Sequence, residues 1–334
     1  MELKSLLKEL TDSVYIGSID SARKTIGRYL DFCKTEKIGA NSFCATLSGK
    51  TDKTLIIDAH IDEVGMVVTN VSDNGFVTVS NVGGIDLRQL PTKEVIIHGK
   101  KDVTGVFIST PPHLAKDGRS CTEEIGKIKI DTANKNAKNI INVGNFVTYK
   151  NSFLSLGENK ICAKALDNRA GCAVLVLTAN LLRDRELPFN VKFLFSDSEE
   201  LGLRGAKTAV FDADADAAIV IDVSFGNAPD VPSDKSGKLG KGSMIGISPV
   251  LNKAITEKLI STAESNKIDY QKEVMGSSTG TNADVISVTK CGVPTALVSI
   301  PLRNMHTDSE VINIRDIENT VQLLYKFIIS GGAL

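Results

Sequence analysis

Apolar and polar positions follow two textures along the 334-residue chain. In the first, short continuous apolar runs read as buried strands: Leu55-Ile56-Ile57, Val191–Phe195, Ala217–Ile221 and Thr295–Ile300. Between them lie stretches with apolar residues at helical spacing. Residues 21–36 place Ile26, Leu30 and Cys33 on one face, and residues 251–267 do the same with Leu251, Ile255 and Leu259. A helical pattern follows Asp167 to about Arg183, and Ile317, Val321, Leu324 and Ile328 line one face of residues 314–328. The first ten residues alternate charge with leucine and read as a short amphipathic helix.

The second texture fills the middle. From about Val64 to Asn159, short β-like runs are punctuated by turn signals such as Asp73-Asn74-Gly75 and Val82-Gly83-Gly84. The runs are Met66–Val71, Phe76–Ser80, Glu94–His98, Val103–Ile108, Lys127–Ile130 and Phe146–Lys150. Many short strands of this kind predict a small barrel or sandwich. The expected fold class is therefore α/β: one discontinuous α/β domain, residues 1–65 and 160–334, interrupted by a β domain at 66–159.

Composition narrows the function. Hydrophobic residues make up 42% and charged residues 24%, which is ordinary for a soluble globular protein. A net charge of -1 offers no basic field for nucleic acid or an anionic membrane surface. No apolar stretch approaches the ~20 residues of a membrane span, and the N-terminus lacks the apolar core of a secretory signal. The six cysteines show no CxxC spacing and read as buried, reduced side chains of a cytoplasmic protein.

Chemistry concentrates where the apolar runs end. His60 and Asp62 follow Leu55–Ile57, and Asp167 follows residues 160–166. Glu199 and Glu200 follow Val191–Phe195, Asp222 follows Ala218–Ile221, and His306 comes after Ala296–Ile300. In a mostly parallel sheet such ends share one side and their side chains converge. Carboxylates beside a buried strand need a cation. Two imidazoles and three carboxylates suit a pair of divalent transition ions, with one carboxylate bridging. Two such ions about 3.5–4 Å apart lower the pKa of a shared water and polarise a carbonyl. Either Glu199 or Glu200 can ligate while the other accepts a proton. Asp62 is placed to hold an imidazole by its second nitrogen. Taken singly these residues have plainer readings: Asp167 as a helix cap, the glutamates as a solvated turn. Capping does not explain two histidines in matching positions. His98 and His113 read as satisfied or surface side chains. The glycines of residues 237–242 lack a phosphate-loop signature and read as a mobile turn.

Four motifs, in order, resemble the M42 metallo-aminopeptidases, the glutamyl or tetrahedral aminopeptidase family. Ala59-His60-Ile61-Asp62-Glu63-Val64-Gly65 resembles AHxDEVG, and residues 164–171 resemble KALD(D/N)RAG. Residues 199–206 resemble EExGxRGA, and residues 301–307 resemble PLRYMHS. Pro111-Pro112-His113-Leu114 is similar to the family's KPPHL segment. The resemblance implies His60 and Asp222 on one metal, Glu200 and His306 on the other, and Asp167 bridging. It makes Glu199 the general base and Asp62 the partner of His60. It implies a zinc exopeptidase-like α/β/α domain with an inserted β dimerisation domain, often assembled into dodecamers. Asn282 stands where the family has Asp in GTDA, Asn304 where it has Tyr, and Thr110 where it has Lys. The first two differences bear on the substrate pocket, for which Asn282 and Arg303 are candidates.

The expected function is a dinuclear aminopeptidase acting on peptides, with zinc, cobalt or manganese as the metals. The competing readings are an endoglucanase-type glycoside hydrolase, a metal-dependent deacylase or carboxypeptidase, and a catalytically silent assembly protein. A chain with no Trp and 5% aromatic residues has little with which to stack sugars.

Overall fold

A computed structural model of the chain describes residues 2–16, 20–114 and 129–332. Helices α1 (Leu3–Asp12) and α2 (Asp20–Gly27) lead into strands β1 (Lys34–Ile38), β2 (Ser42–Leu47) and β3 (Thr54–His60). Strands β4 (Gly65–Val71), β5 (Phe76–Val82), β6 (Glu94–His98), β7 (Asp102–Phe107), β8 (Lys129–Asp131) and β9 (Phe146–Tyr149) follow. The chain continues with β10 (Leu154–Leu156), β11 (Lys160–Ala163), α3 (Leu166–Leu182), β12 (Asn190–Ser196), α4 (Arg204–Ala213) and β13 (Ala217–Phe225). It ends with β14 (Ser243–Ile247), α5 (Lys253–Asn266), β15 (Tyr270–Val274), α6 (Ala283–Ile286), β16 (Thr295–Leu302), β17 (Glu310–Asn313) and α7 (Ile314–Ile329).

The main sheet has the order β1-β2-β12-β3-β13-β16-β14-β15, with β12, β3, β13 and β16 mutually parallel. These four strands are almost continuously apolar because both faces are covered. Leu55, Ile57, Phe193, Phe195, Ile219 and Ile221 face one core, shared with α1, α3, α5 and α7. Ile56, Leu194, Ala218 and Val220 face a second core closed by α4 and α6. The alternation follows from side chains pointing to opposite faces at successive positions. Helix α3 is buried on nearly every face, which explains why its sequence is apolar all round.

Strands β4-β5-β8-β7-β6-β9 close into a barrel with its own core of Met66, Val68, Val77, Val79, Val95, Ile97 and Phe107. Closure leaves no free sheet edge. Cys121 and the first two residues of the predicted strand at 127–130 lie outside the described residues.

Three expectations change. The helix predicted for 21–36 stops at Gly27, a poor helix former, and residues 34–38 instead pair with β2 as an edge strand. Ile26 and Leu30 are still buried, so the apolar spacing reported burial correctly while the backbone turned. Strand β11 does not join the main sheet; it lies in a separate antiparallel sheet, β10-β11-β17. The glycine-rich turn at 237–242 is tied down, with the buried Asp316 accepting from the N–H groups of Gly240 (2.7 Å) and Gly242 (2.8 Å). Among the described residues no helix is long and apolar enough to cross a membrane.

Candidate metal centre and active site

The parallel register brings the site together. Ser196 at the end of β12 pairs with His60 at the end of β3, so Glu199 and Glu200 emerge beside His60 and Asp62. Asp222 lies inside β13, not at its end. Pairing to β3 stops at Val220, while pairing to β16 runs on to Phe225, so the overhang presents Asp222 to the site.

Asp167 arrives from the small sheet. The turn from β11 into α3 passes Ala165 at φ 54°, and Asp167 and Asn168 keep non-helical angles across a cis peptide. The helix cap reading fails here: Asn168, not Asp167, does that work, accepting from Gly171 N–H at 2.9 Å and donating to the Ile221 carbonyl at 2.8 Å. This frees the Asp167 carboxylate. Its Oδ1 lies 3.1 Å from His60 Nε2 and its Oδ2 3.4 Å from His306 Nε2. Asp222 Oδ1 is 3.7 Å from His60 Nε2, and Glu200 Oε1 is 3.2 Å from His306 Nε2. Two triads result, His60–Asp167–Asp222 and Asp167–Glu200–His306, sharing one carboxylate. Glu199 faces the same space and forms a further potential set with His60 and Glu200.

Outer contacts aim the imidazoles. His306 Nδ1 bonds the Gly84 carbonyl at 2.7 Å, which turns Nε2 toward Asp167 and Glu200. His60 Nδ1 lies 3.2 Å from the Asp62 carbonyl oxygen and 3.5 Å from Asp62 Oδ1. The Asp62 carboxylate is mainly engaged elsewhere, accepting from Glu199 N–H (3.0 Å) and Glu200 N–H (3.1 Å).

The electrostatics are those of crowded acids. Burial raises the pKa of Glu199 to about 7; His60 opposes this while Glu200, Asp167 and Asp62 add to it. Burial also raises Glu200, and it lifts Asp222 well above the carboxylate range. Burial alone would lower His306, yet Asp167 and Glu200 hold it up at about 11. His60 is likewise raised against its own burial, first by Glu199 and then by Asp167. Asp167 is pulled below its usual value by the two imidazoles despite burial. Four clustered carboxyl groups face two imidazoles, crowded enough to shift one another's protonation, and the N/O donor set suits divalent transition ions. The residues present therefore fit a metal centre.

A cavity of about 440 Å³ opens onto this cluster, walled by Leu203, Val223, Ser224, Phe225, Thr279, Thr281 and Met305. A larger apolar groove of about 900 Å³ runs between α5 and β15, away from the cluster.

Two sequence candidates stand apart. Asn282 is buried, its amide donating to Asp58 (2.8 Å) and Ser196 (2.9 Å), and it does not line the cavity. Packing between sheet and helix layers removes it from substrate. The Arg303 guanidinium is spent on Asn227, with Nε 2.5 Å from the Asn227 carbonyl, and also lies off the cavity wall. His98 sits in the barrel between Asp102 and Thr148, and His113 lies in a short exposed turn.

Sequence reasoning missed two groups. Glu310 accepts from the N–H groups of Asp167 and His306. Beneath the site, Glu63 pairs with Lys164 (2.5 Å) and Arg169 (3.4 Å), all three buried. The second group was legible as opposite charges within two quoted motifs. Nothing local marked Glu310.

The fold and the acid–imidazole cluster define a metal-dependent hydrolase. The family model for M42 glutamyl aminopeptidases matches residues 41–323. A putative aminopeptidase of Acetivibrio thermocellus is 31% identical over 98% of this chain and 98% of its own. Aminopeptidase APDkam598 from the archaeon Desulfurococcus kamchatkensis superposes with a TM-score of 0.90 at 28% identity, covering 98% of this chain and 94% of that one. The Pyrococcus horikoshii TET1 peptidase, which can assemble into a tetrahedron or a large octahedral shell, gives a TM-score of 0.85 at 28% identity over 98% of this chain and 99% of that one. The chain belongs to the M42 glutamyl aminopeptidase family and is an aminopeptidase, hydrolysing N-terminal residues from peptides.

Proposed function

We propose that the site holds two divalent ions, zinc being the first candidate and cobalt or manganese the others. His60 and Asp222 would hold one, Glu200 and His306 the other, with Asp167 shared between them. The observation that carries this reading is the placement of Asp167, whose two oxygens each face a different imidazole. Such ions, when bound, would supply water activation and carbonyl polarisation. Glu199 acts as general base: it takes a proton from the attacking water and returns it to the leaving amine. Its carboxylate faces the same space as the two triads without belonging to either, which places it beside a water held there. Asp62 positions both glutamates through their backbone.

The cavity wall supports a preference for neutral N-terminal residues. Leu203, Val223, Phe225 and Met305 are apolar, Ser224, Thr279 and Thr281 are neutral, and no Lys or Arg lines the cavity among the described residues. An N-terminal residue with a neutral, mainly apolar side chain suits this wall better than an acidic one. The protein works as a homo-oligomer assembled from dimers through the barrel. Ile108, Leu114 and Val143 leave apolar surface exposed there, and light scattering coupled to size exclusion reads the mass directly.

The deciding experiment is a panel of aminoacyl-anilides assayed with metal-stripped protein after each ion is added back. Leu-anilide should be cleaved faster than Glu-anilide, and N-blocked substrates should not be cleaved. Glu199→Gln should lower kcat by about 10²–10⁴-fold while keeping the metal content. Substantial residual kcat would remove Glu199 from its role.

A further inference from the structure

Glu310 is a buried carboxylate that no step above uses. It opens strand β17, which pairs with β11 so that Glu310 sits opposite Ala163. Strand β11 runs directly into Asp167. On its other side, Arg303 and Val311 exchange backbone hydrogen bonds of 2.9 and 3.0 Å, closing the loop that carries His306. One short strand thus borders both segments that supply the triad Asp167–Glu200–His306; its Ile312, opposite Ile161 of β11, anchors it in the main core.

The Glu310 side chain, 1% exposed, uses this position fully. Its Oε2 accepts from Asp167 N–H at 2.9 Å, and its Oε1 accepts from His306 N–H at 2.7 Å. A single carboxylate therefore clamps the backbone of two residues whose side chains face each other across 3.4 Å. The clamp acts on a strained segment. His306 has φ 63° and Asn304 has φ 58°, left-handed conformations that cost a non-glycine residue energy even though Asn and His adopt them more readily than most. Without the clamp, the His306 loop has an energetic reason to relax, carrying its imidazole away from Asp167.

We propose that Glu310 is a positioning residue for the metal centre, setting the separation of Asp167 and His306 and so building the second ion's place. This rests on reading Asp167 and His306 as ligands. In Glu310→Gln, an amide NH₂ must face one of the two N–H groups, and one anchor is lost. Glu310→Asp keeps the carboxyl group but shortens the reach, so it cannot span both donors.

The test is a Co(II) titration of the metal-stripped full-length protein, followed by visible absorption and by bound-metal analysis, with His306→Ala alongside. Thermal melting of each metal-free variant is measured first. The expected result is a native-like metal-free melt for Glu310→Asp, one Co(II) equivalent weakened about 10–100-fold in both Glu310 variants, and an altered absorption band. Unchanged Co(II) affinity and spectrum in the Glu310 variants, with an equivalent lost in His306→Ala, would overturn the positioning role alone. Two full equivalents retained in His306→Ala would overturn the ligand reading itself, and the proposal with it. Metal-free forms of both Glu310 variants that fail to fold would assign Glu310 a purely structural role and also overturn it.

Discussion

Asp62 holds Glu199 by its backbone: the carboxylate accepts from Glu199 N–H at 3.0 Å and, with its second oxygen, from Glu200 N–H at 3.1 Å. The side chain expected to steady an imidazole lies 3.5 Å from His60 Nδ1 and also fixes the turn that carries the two glutamates. Asp62→Asn turns one acceptor into a donor facing an N–H. It should lower kcat by about 10–100-fold, with KM for the anilide substrate changing much less. Equal effects on both constants would point to a lost substrate contact instead.

The shared carboxylate makes a stoichiometric prediction. Asp167→Ala removes a candidate ligand of both ions, whereas Asp222→Ala removes one from the His60 side only. Elemental analysis after dialysis should find both equivalents depleted in the first variant and mainly one in the second. Identical stoichiometry in the two would refute bridging.

Gly84 links the barrel to the site. A Cβ built there would lie 3.1 Å from His306 Nδ1, tighter than an ordinary van der Waals contact, while the Gly84 carbonyl bonds that same nitrogen. Gly84→Ala should therefore tilt the imidazole, reducing activity about tenfold or more at little cost in melting temperature. A fully active variant would show that the loop moves aside freely.

Glu63 neutralises two buried cations, Lys164 and Arg169. Glu63→Gln leaves uncompensated charge in the interior and should destabilise the fold by about 3–5 kcal/mol in urea unfolding. A loss below about 1 kcal/mol would mean that the cluster rearranges.

Asp316 supplies a pH dependence away from the metal centre. Burial raises its folded pKa to about 6, while the Gly240 and Gly242 N–H groups pull the other way. The unfolded value is about 3.9. Between these values the folded state binds more protons, so this residue's contribution to stability falls as pH rises from about 4 to 6. The stability gap between the native protein and Asp316→Asn should shrink over that window, by at most about 3 kcal/mol. A constant gap from pH 4 to 7 would contradict the raised pKa.

Much was legible in the residues alone. Apolar runs marked β3, β12, β13 and β16 because strands covered on both faces have few polar positions. The barrel strands showed as short runs between glycine turns, and His60, Asp167, the Glu199–Glu200 pair, Asp222 and His306 stood out as polar groups where apolar runs give way, with the choice between the two glutamates left open by the residues themselves. Other elements left weaker signals. Strand β1 is a half-exposed edge with mixed polarity, and the periodicity of residues 26–33 tracked burial rather than helix.

Tertiary structure alone decided the rest. Convergence was expected from the strand ends, but how it is reached depends on register for His60 and Asp222 and on a separate small sheet for Asp167, long-range properties that local patterns do not encode. Asn282 and Arg303 looked like pocket residues by position, but layer packing buries one against Asp58 and a loop carbonyl captures the other. The roles of Asp62 and Glu310 reside in hydrogen bonds to backbone N–H groups. Every residue but proline carries such a group, so no side-chain identity announces the partner, and only the folded chain brings donor and acceptor together.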